Sequence, residues 1–234
     1  MSVKLQKILN SFLSKVPELK EYCDRCLKTE RWGGSVPLMI VDAAFTSIGL
    51  NYFTAVVPKV MKFKKEFVDK GIIKDLCDLS NFDYKKAFHI WKNKRSWNVI
   101  KEIAEYLCML KKEKNLNDKE AFRLWAENAD YRNFKKNPIG KIKGVGLITF
   151  QYLRMMGGID TVMPDKIVKR VLNEIFVRAG IEPEENDFRF IEKVHDISKK
   201  TGKRPIELCW MTWLIQREGE KLRIERYREI MKLI

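Results

Sequence analysis

Along the whole chain, apolar residues recur at the three-and-four spacing of a helix face, and no stretch sustains the alternation of a half-buried strand. Leu5, Ile8, Leu9, Phe12, Leu13 and Val16 form one such stripe, closed by Pro17. Ser35 and Pro37 open a second helix through Leu38–Phe45 that stops by Gly49. Asn51 caps a third, bent by Pro58 and ending at Gly71. The spacing predicts further helices over Tyr84–Trp91, over Trp97–Lys112 and, behind an Asn117/Glu120 capping box, over Glu120–Glu127. Gly180, Gly202 and Gly219 mark three more helix ends. The reading is an all-α protein of about ten helices, without internal repeats or low-complexity segments. Aromatic residues on these faces, Trp91, Trp125 and Trp213 among them, read as core.

The 234 residues can bury a substantial core, and 45% apolar with 33% charged residues excludes both a disordered chain and a membrane protein. No segment reaches the roughly 20 apolar residues of a membrane span, and the start MSVKLQKILN lacks a signal peptide's apolar region. A cytoplasmic protein is expected, associated with the nucleoid if the source is prokaryotic. Its 46 Lys and Arg against 31 Asp and Glu leave a net charge of +15, a long-range attraction for polyanions that points first to nucleic acid. The alternative is a surface rich in both signs for thermal stability, although such surfaces keep the signs nearer balance.

Five scattered cysteines, an odd number, are expected to be mostly reduced. Cys23 and Cys26 form a lone CxxC with no second half to complete a metal site, and read as two helix-borne thiols. His89 and His195 lie near no ligand cluster, so no metal is expected.

The stretch with most chemical content is Asn137-Pro-Ile-Gly-Lys-Ile-Lys-Gly-Val-Gly-Leu-Ile-Thr-Phe-Gln-Tyr-Leu-Arg154. Asn137 and Pro138 start a short helix, Gly144-Val145-Gly146 makes a tight turn, and Leu147 opens a second helix. Glycines on either side of Val145 leave backbone amides uncovered at a helix N-terminus, a setting suited to phosphate. Lys141 and Lys143 add charge without base discrimination. An ordinary interhelical turn is the alternative. The following segment, Ile159-Asp-Thr-Val-Met-Pro-Asp165, delivers a carboxylate to the start of a helix carrying Val168, Val171, Leu172 and Ile175. On its own Asp165 would be a helix N-cap.

Together these residues resemble the helix-hairpin-helix/Gly-Pro-Asp superfamily of base-excision DNA glycosylases, which includes endonuclease III, the mismatch adenine glycosylase and the oxoguanine and alkyladenine glycosylases. Asp165 follows Gly146 by 19 residues, close to that family's spacing from hairpin to essential aspartate. Leu38–Ala55 is similar to the helix, loop and helix that present a wedge to the DNA stack, with Thr46 where many members carry glutamine and Ser47 beside it. The resemblance covers about residues 35–180.

It implies two helical lobes with a cleft between them. Residues 35–157 would form a helical barrel that includes the helix-hairpin-helix, and residues 1–34 plus 158–234 a second helical domain. Asp165 would stabilise the sugar cation formed as an N-glycosidic bond breaks, after the base has left the stack. Lys141, Lys143, Gly144, Val145, Gly146, Thr46 and Ser47 would contact duplex DNA, and Trp32, Phe45 and Trp210 are candidates for the base pocket. Ile148 stands where bifunctional members carry the lyase lysine, which implies a monofunctional enzyme unless Lys143 or Lys166 substitutes. Only Cys209 lies beyond Asp165, so no iron-sulfur cluster is expected. Phe150, where a small residue is usual, and Lys143, where proline is common, depart from the pattern. A monomer is expected. The rival reading is a hairpin DNA-binding protein without catalysis.

Overall fold

The computed structural model describes residues 2–234, and among them the architecture is all-α with one minimal hairpin of strands. The helices are α1 (Ser2–Leu13), α2 (Leu19–Leu27), α3 (Val36–Thr46), α4 (Val57–Phe63), α5 (Leu76–Asn81), α6 (Lys94–Lys114) and α7 (Asp118–Asn128). They continue as α8 (Pro138–Lys141), α9 (Leu147–Met156), α10 (Lys166–Arg178), α11 (Asp187–Thr201), α12 (Pro205–Leu214) and α13 (Arg223–Leu233). No helix among the described residues is long and apolar enough to cross a membrane. The chain divides into two compact units, Lys28–Ile159 and Met1–Leu27 with Asp160–Ile234.

In the unit Lys28–Ile159, α3 is buried from Val36 to Phe45 and packs against α6 and α9. Ser35 caps it, as its place before Pro37 predicts, and the chain turns at Gly49. Asn51 accepts the Thr54 amide at 3.1 Å and starts a π-helical turn over Tyr52–Val56 that leads into α4, with Pro58 in the first turn. The Asn117/Glu120 capping box forms at α7. Phe150 is fully buried, edge-on to Trp125 with ring centres 5.6 Å apart.

Tyr84–Trp91 is not a helix. Asp83 accepts the Lys85 amide at 3.1 Å and starts only a 3-10 turn over Tyr84–Ala87. Trp91 then stacks on Phe45 at 4.1 Å, and Asn93 caps α6 afresh. Core packing overrides the helical spacing there. Cys77 and Cys108 are joined by a disulfide that ties α5 to α6, with Cα atoms 5.1 Å apart, a pairing the sequence did not indicate. Cys23, Cys26 and Cys209 are buried thiols, and Cys23 and Cys26 do lie together on α2.

In the other unit, α10 packs on α12 and α1, and α2 on α12. Gly180 and Gly202 follow their helices in the left-handed region, at φ 76° and 68°. Gly219 ends no helix. It turns a two-stranded hairpin, β1 (Arg217–Glu218) and β2 (Lys221–Leu222), that joins α12 to α13.

Candidate active site and candidate nucleic-acid interface

Asp165 is the N-cap of α10, with extended backbone. Its Oδ1 accepts the amides of Ile167 at 2.7 Å and Val168 at 2.9 Å, satisfying two of the donors a helix start leaves open. Its Oδ2 accepts the indole N–H of Trp213 at 2.7 Å. Burial pushes the carboxyl above its usual range. The Val168 amide, the Trp213 N–H, the Ile167 amide and the charge of Arg223 pull the other way. Arg223 lies over the Trp213 ring at 5.1 Å and donates to Glu218 at 2.8 Å.

The segment that carries Asp165 is held along α12. Asp160 accepts the backbone amide of Ile206 at 2.9 Å, in the first turn of α12, and Asp165 meets Trp213 near its end. Trp213, read from the sequence as core, is only half-buried.

In the hairpin, Asn137 caps α8 through the Ile139 amide at 3.0 Å and also accepts the Trp125 indole at 3.1 Å. Gly144 takes φ +116°, Val145 is buried and Gly146 is exposed in extended backbone. Among the described residues no side chain caps α9, whose N-cap is Gly146, so its first-turn amides carry no side-chain acceptor there. Lys141 and Lys143 are exposed. Arg95, in the first turn of α6, is also exposed and lies against Gly144, a neighbour that no local sequence pattern announces. Ile148 is 42% exposed on the first turn of α9, while Lys166, the residue after Asp165, is exposed on α10.

The remaining candidates are placed differently. Thr46 donates to the Asp42 carbonyl at 2.8 Å and Ser47 to the Ala44 carbonyl at 2.6 Å, so both hydroxyls serve the end of α3. Beyond them, Ile48 and Leu50 are the exposed apolar side chains of the loop. Phe45 is wholly buried between Trp91 and Trp97, and its ring belongs to the core. Trp210 is buried on α12. Trp32 is buried and donates to Asp42 at 2.8 Å. Asp42 Oδ2 also accepts from Tyr52 at 3.1 Å and Tyr152 at 2.9 Å and pairs with Arg31 at 3.3 Å. A single charge inside the apolar run Val36–Phe45 was the available sign of this network. A groove of about 690 Å³ runs along α10, but Lys169, Arg170 and Arg178 in its wall already bond Asp187, Gln216 and Glu174. That charged wall does not suit a nucleobase.

Residues 12–217 match the family described as a domain of unknown function (DUF8548). The chain belongs to that family. No curated protein matches it in sequence. The crystal structure of the 8-oxoguanine DNA glycosylase of Thermotoga maritima aligns with a TM-score of 0.53 at 16% identity, over 95% of this chain and 99% of that one. At that identity the likeness establishes the fold, an all-α architecture shared over nearly the full length of both proteins.

Proposed function

We propose that this protein is a monofunctional DNA glycosylase that uses Asp165 to break the N-glycosidic bond of a damaged or mismatched base in duplex DNA. The observation that carries the reading is the Asp165 carboxylate, held at a helix start by three hydrogen bonds, in a fold shared with an 8-oxoguanine DNA glycosylase. A carboxylate offers about four lone-pair directions, so one on Oδ2 stays available to face a sugar cation or a water. Departure of the base builds positive charge on the deoxyribose, and a carboxylate fixed in advance stabilises that charge without reorganising. The amides at the start of α9, with Lys141, Lys143 and Arg95, suit phosphate oxygens, which fix register without reading sequence. Ile148 cannot act as a nucleophile, so the expected product is an abasic site.

A catalytically silent DNA-binding protein is the second reading, favoured by one observation: Oδ1 of Asp165 is wholly committed to capping α10. One experiment separates the two. Purified protein is incubated with duplexes carrying uracil, 8-oxoguanine, alkyladenine or thymine opposite guanine. Release of one base above the spontaneous rate supports the glycosylase, and binding without release of any supports the silent protein.

A further inference from the structure

We propose that Trp213 is a positioning residue for Asp165, its indole N–H fixing the second carboxylate oxygen while Arg223 holds the indole by its ring face. As a statement about the reaction this rests on the glycosylase reading above; as a statement about the carboxylate it stands on geometry. The contact is 2.7 Å and joins residues 48 apart in sequence, so it is tertiary and not a by-product of the helix cap. The two capping amides fix Oδ1 only. Rotation of the carboxylate about its own axis and the direction of the remaining lone pair are set by whatever bonds Oδ2, and that is Trp213.

The arrangement has supports on both sides. The segment meets α12 at both ends, Asp160 on the first-turn amide of Ile206 and Asp165 on the Trp213 indole, so the helix fixes its start and its finish. The Arg223 guanidinium lies 5.1 Å from the ring centre, where the negative face of the indole attracts it, and its Nε is anchored on Glu218. A cation on the ring also polarises the N–H toward Asp165. The titratable or charged groups that reach the carboxylate are Arg223 and the Cys209 thiol, and burial pushes that thiol far up, so it is neutral. A donated hydrogen bond favours the charged form of a carboxylate, whereas burial opposes it. Trp213 thus offsets part of the cost of keeping a half-buried carboxylate ionised.

The geometry also makes asparagine a poor mimic at this position. With its oxygen on the two capping amides, an asparagine would turn its NH₂ toward the Trp213 N–H, donor against donor. Replacing Trp213 with phenylalanine removes that conflict.

The test is a carboxyl NMR titration of Asp165 in the wild type and in Trp213→Phe, which keeps a ring under Arg223 but lacks the N–H. The midpoint is expected to move up by about one pH unit, a roughly tenfold change in the ionisation constant. In the same variant the acid limb of the pH profile for base release should move up with it while duplex affinity stays unchanged. A folded Trp213→Phe whose Asp165 midpoint does not rise overturns the proposal. Should that variant lose its fold, Trp213→Leu, which also lacks the donor, takes its place, and an unmoved midpoint there is equally decisive. Because the titration needs no turnover, absence of base release by the wild type would count against the glycosylase reading and leave the role of Trp213 to be judged on the midpoint.

Discussion

Gly144 and Gly146 flank Val145 in opposite backbone regimes. A Cβ on Gly144, at φ +116°, would fall 2.8 Å from Val99 Cγ2 and 3.0 Å from Arg95 Nε, whereas a Cβ on Gly146 would meet nothing within 4 Å. The turn itself needs a glycine at 144 only. Gly144→Ala is expected to cost about 1–3 kcal/mol of stability from backbone strain and crowding. Gly146→Ala should leave the melting curve within about 0.5 kcal/mol and still weaken duplex binding, since its methyl would occupy the space a phosphate needs. Thermal denaturation and a duplex titration of both variants check this, and unchanged affinity in Gly146→Ala would move the phosphate site elsewhere.

Arg95, Lys141 and Lys143 form no ion pair among the described residues, so their charge is available to the duplex that the proposed function requires. Replacing any one with alanine should lower the slope of log affinity against log salt by about one and weaken all duplex sequences alike. Titrations at three salt concentrations measure it. A sequence-dependent loss would mean base contact instead.

The exposed Ile148 side chain holds no amine, so base release should leave an alkali-labile abasic site and an uncut strand. Borohydride added during turnover should trap no covalent complex. A trapped complex would assign the lyase role to another lysine, with Lys143→Ala and Lys166→Ala identifying which.

The Cys77–Cys108 disulfide closes a loop of 31 residues. Chain-entropy reasoning gives about 3–4 kcal/mol for such a loop. Reductant, or Cys77→Ser, should therefore lower the unfolding free energy read from a denaturant titration by that amount, with a lower midpoint. A midpoint indifferent to reductant would show that the pair is not joined in solution.

Helices with strong local signals were legible in the sequence: Ser35 before Pro37, the Asn117/Glu120 box and the glycines after α10 and α11 all act through residues a few positions apart. The site was legible to the same depth. Asp165 as a cap follows from its place ahead of Val168, but its contact with Trp213 spans 48 residues and leaves no periodic trace, and Trp213 itself shares the helical spacing of a core residue. Arg95 was hidden for the same reason, since packing of α6 against α8 brings it to Gly144. Tyr84–Trp91 misled because apolar spacing records burial, and there a 3-10 turn and an aromatic stack supply the burial without a helix.

The Asp165 carboxylate is proposed to do chemistry beyond capping α10. The direct test is single-turnover base release by the wild type, by Asp165→Asn and by Asp165→Asn in the Trp213→Phe background, where the donor conflict is absent, on whichever lesion duplex the wild type processes, at matched protein–DNA saturation. Loss of roughly a hundredfold or more in rate, with duplex affinity retained, is the predicted result, the size expected when a preorganised group facing developing charge is removed. The wild-type rate should also fall on acidification through a midpoint above the ordinary aspartate value of about 3.9, because burial raises this carboxyl and only its ionised form opposes the sugar cation. Base release by a folded Asp165→Asn at the wild-type rate would contradict the account.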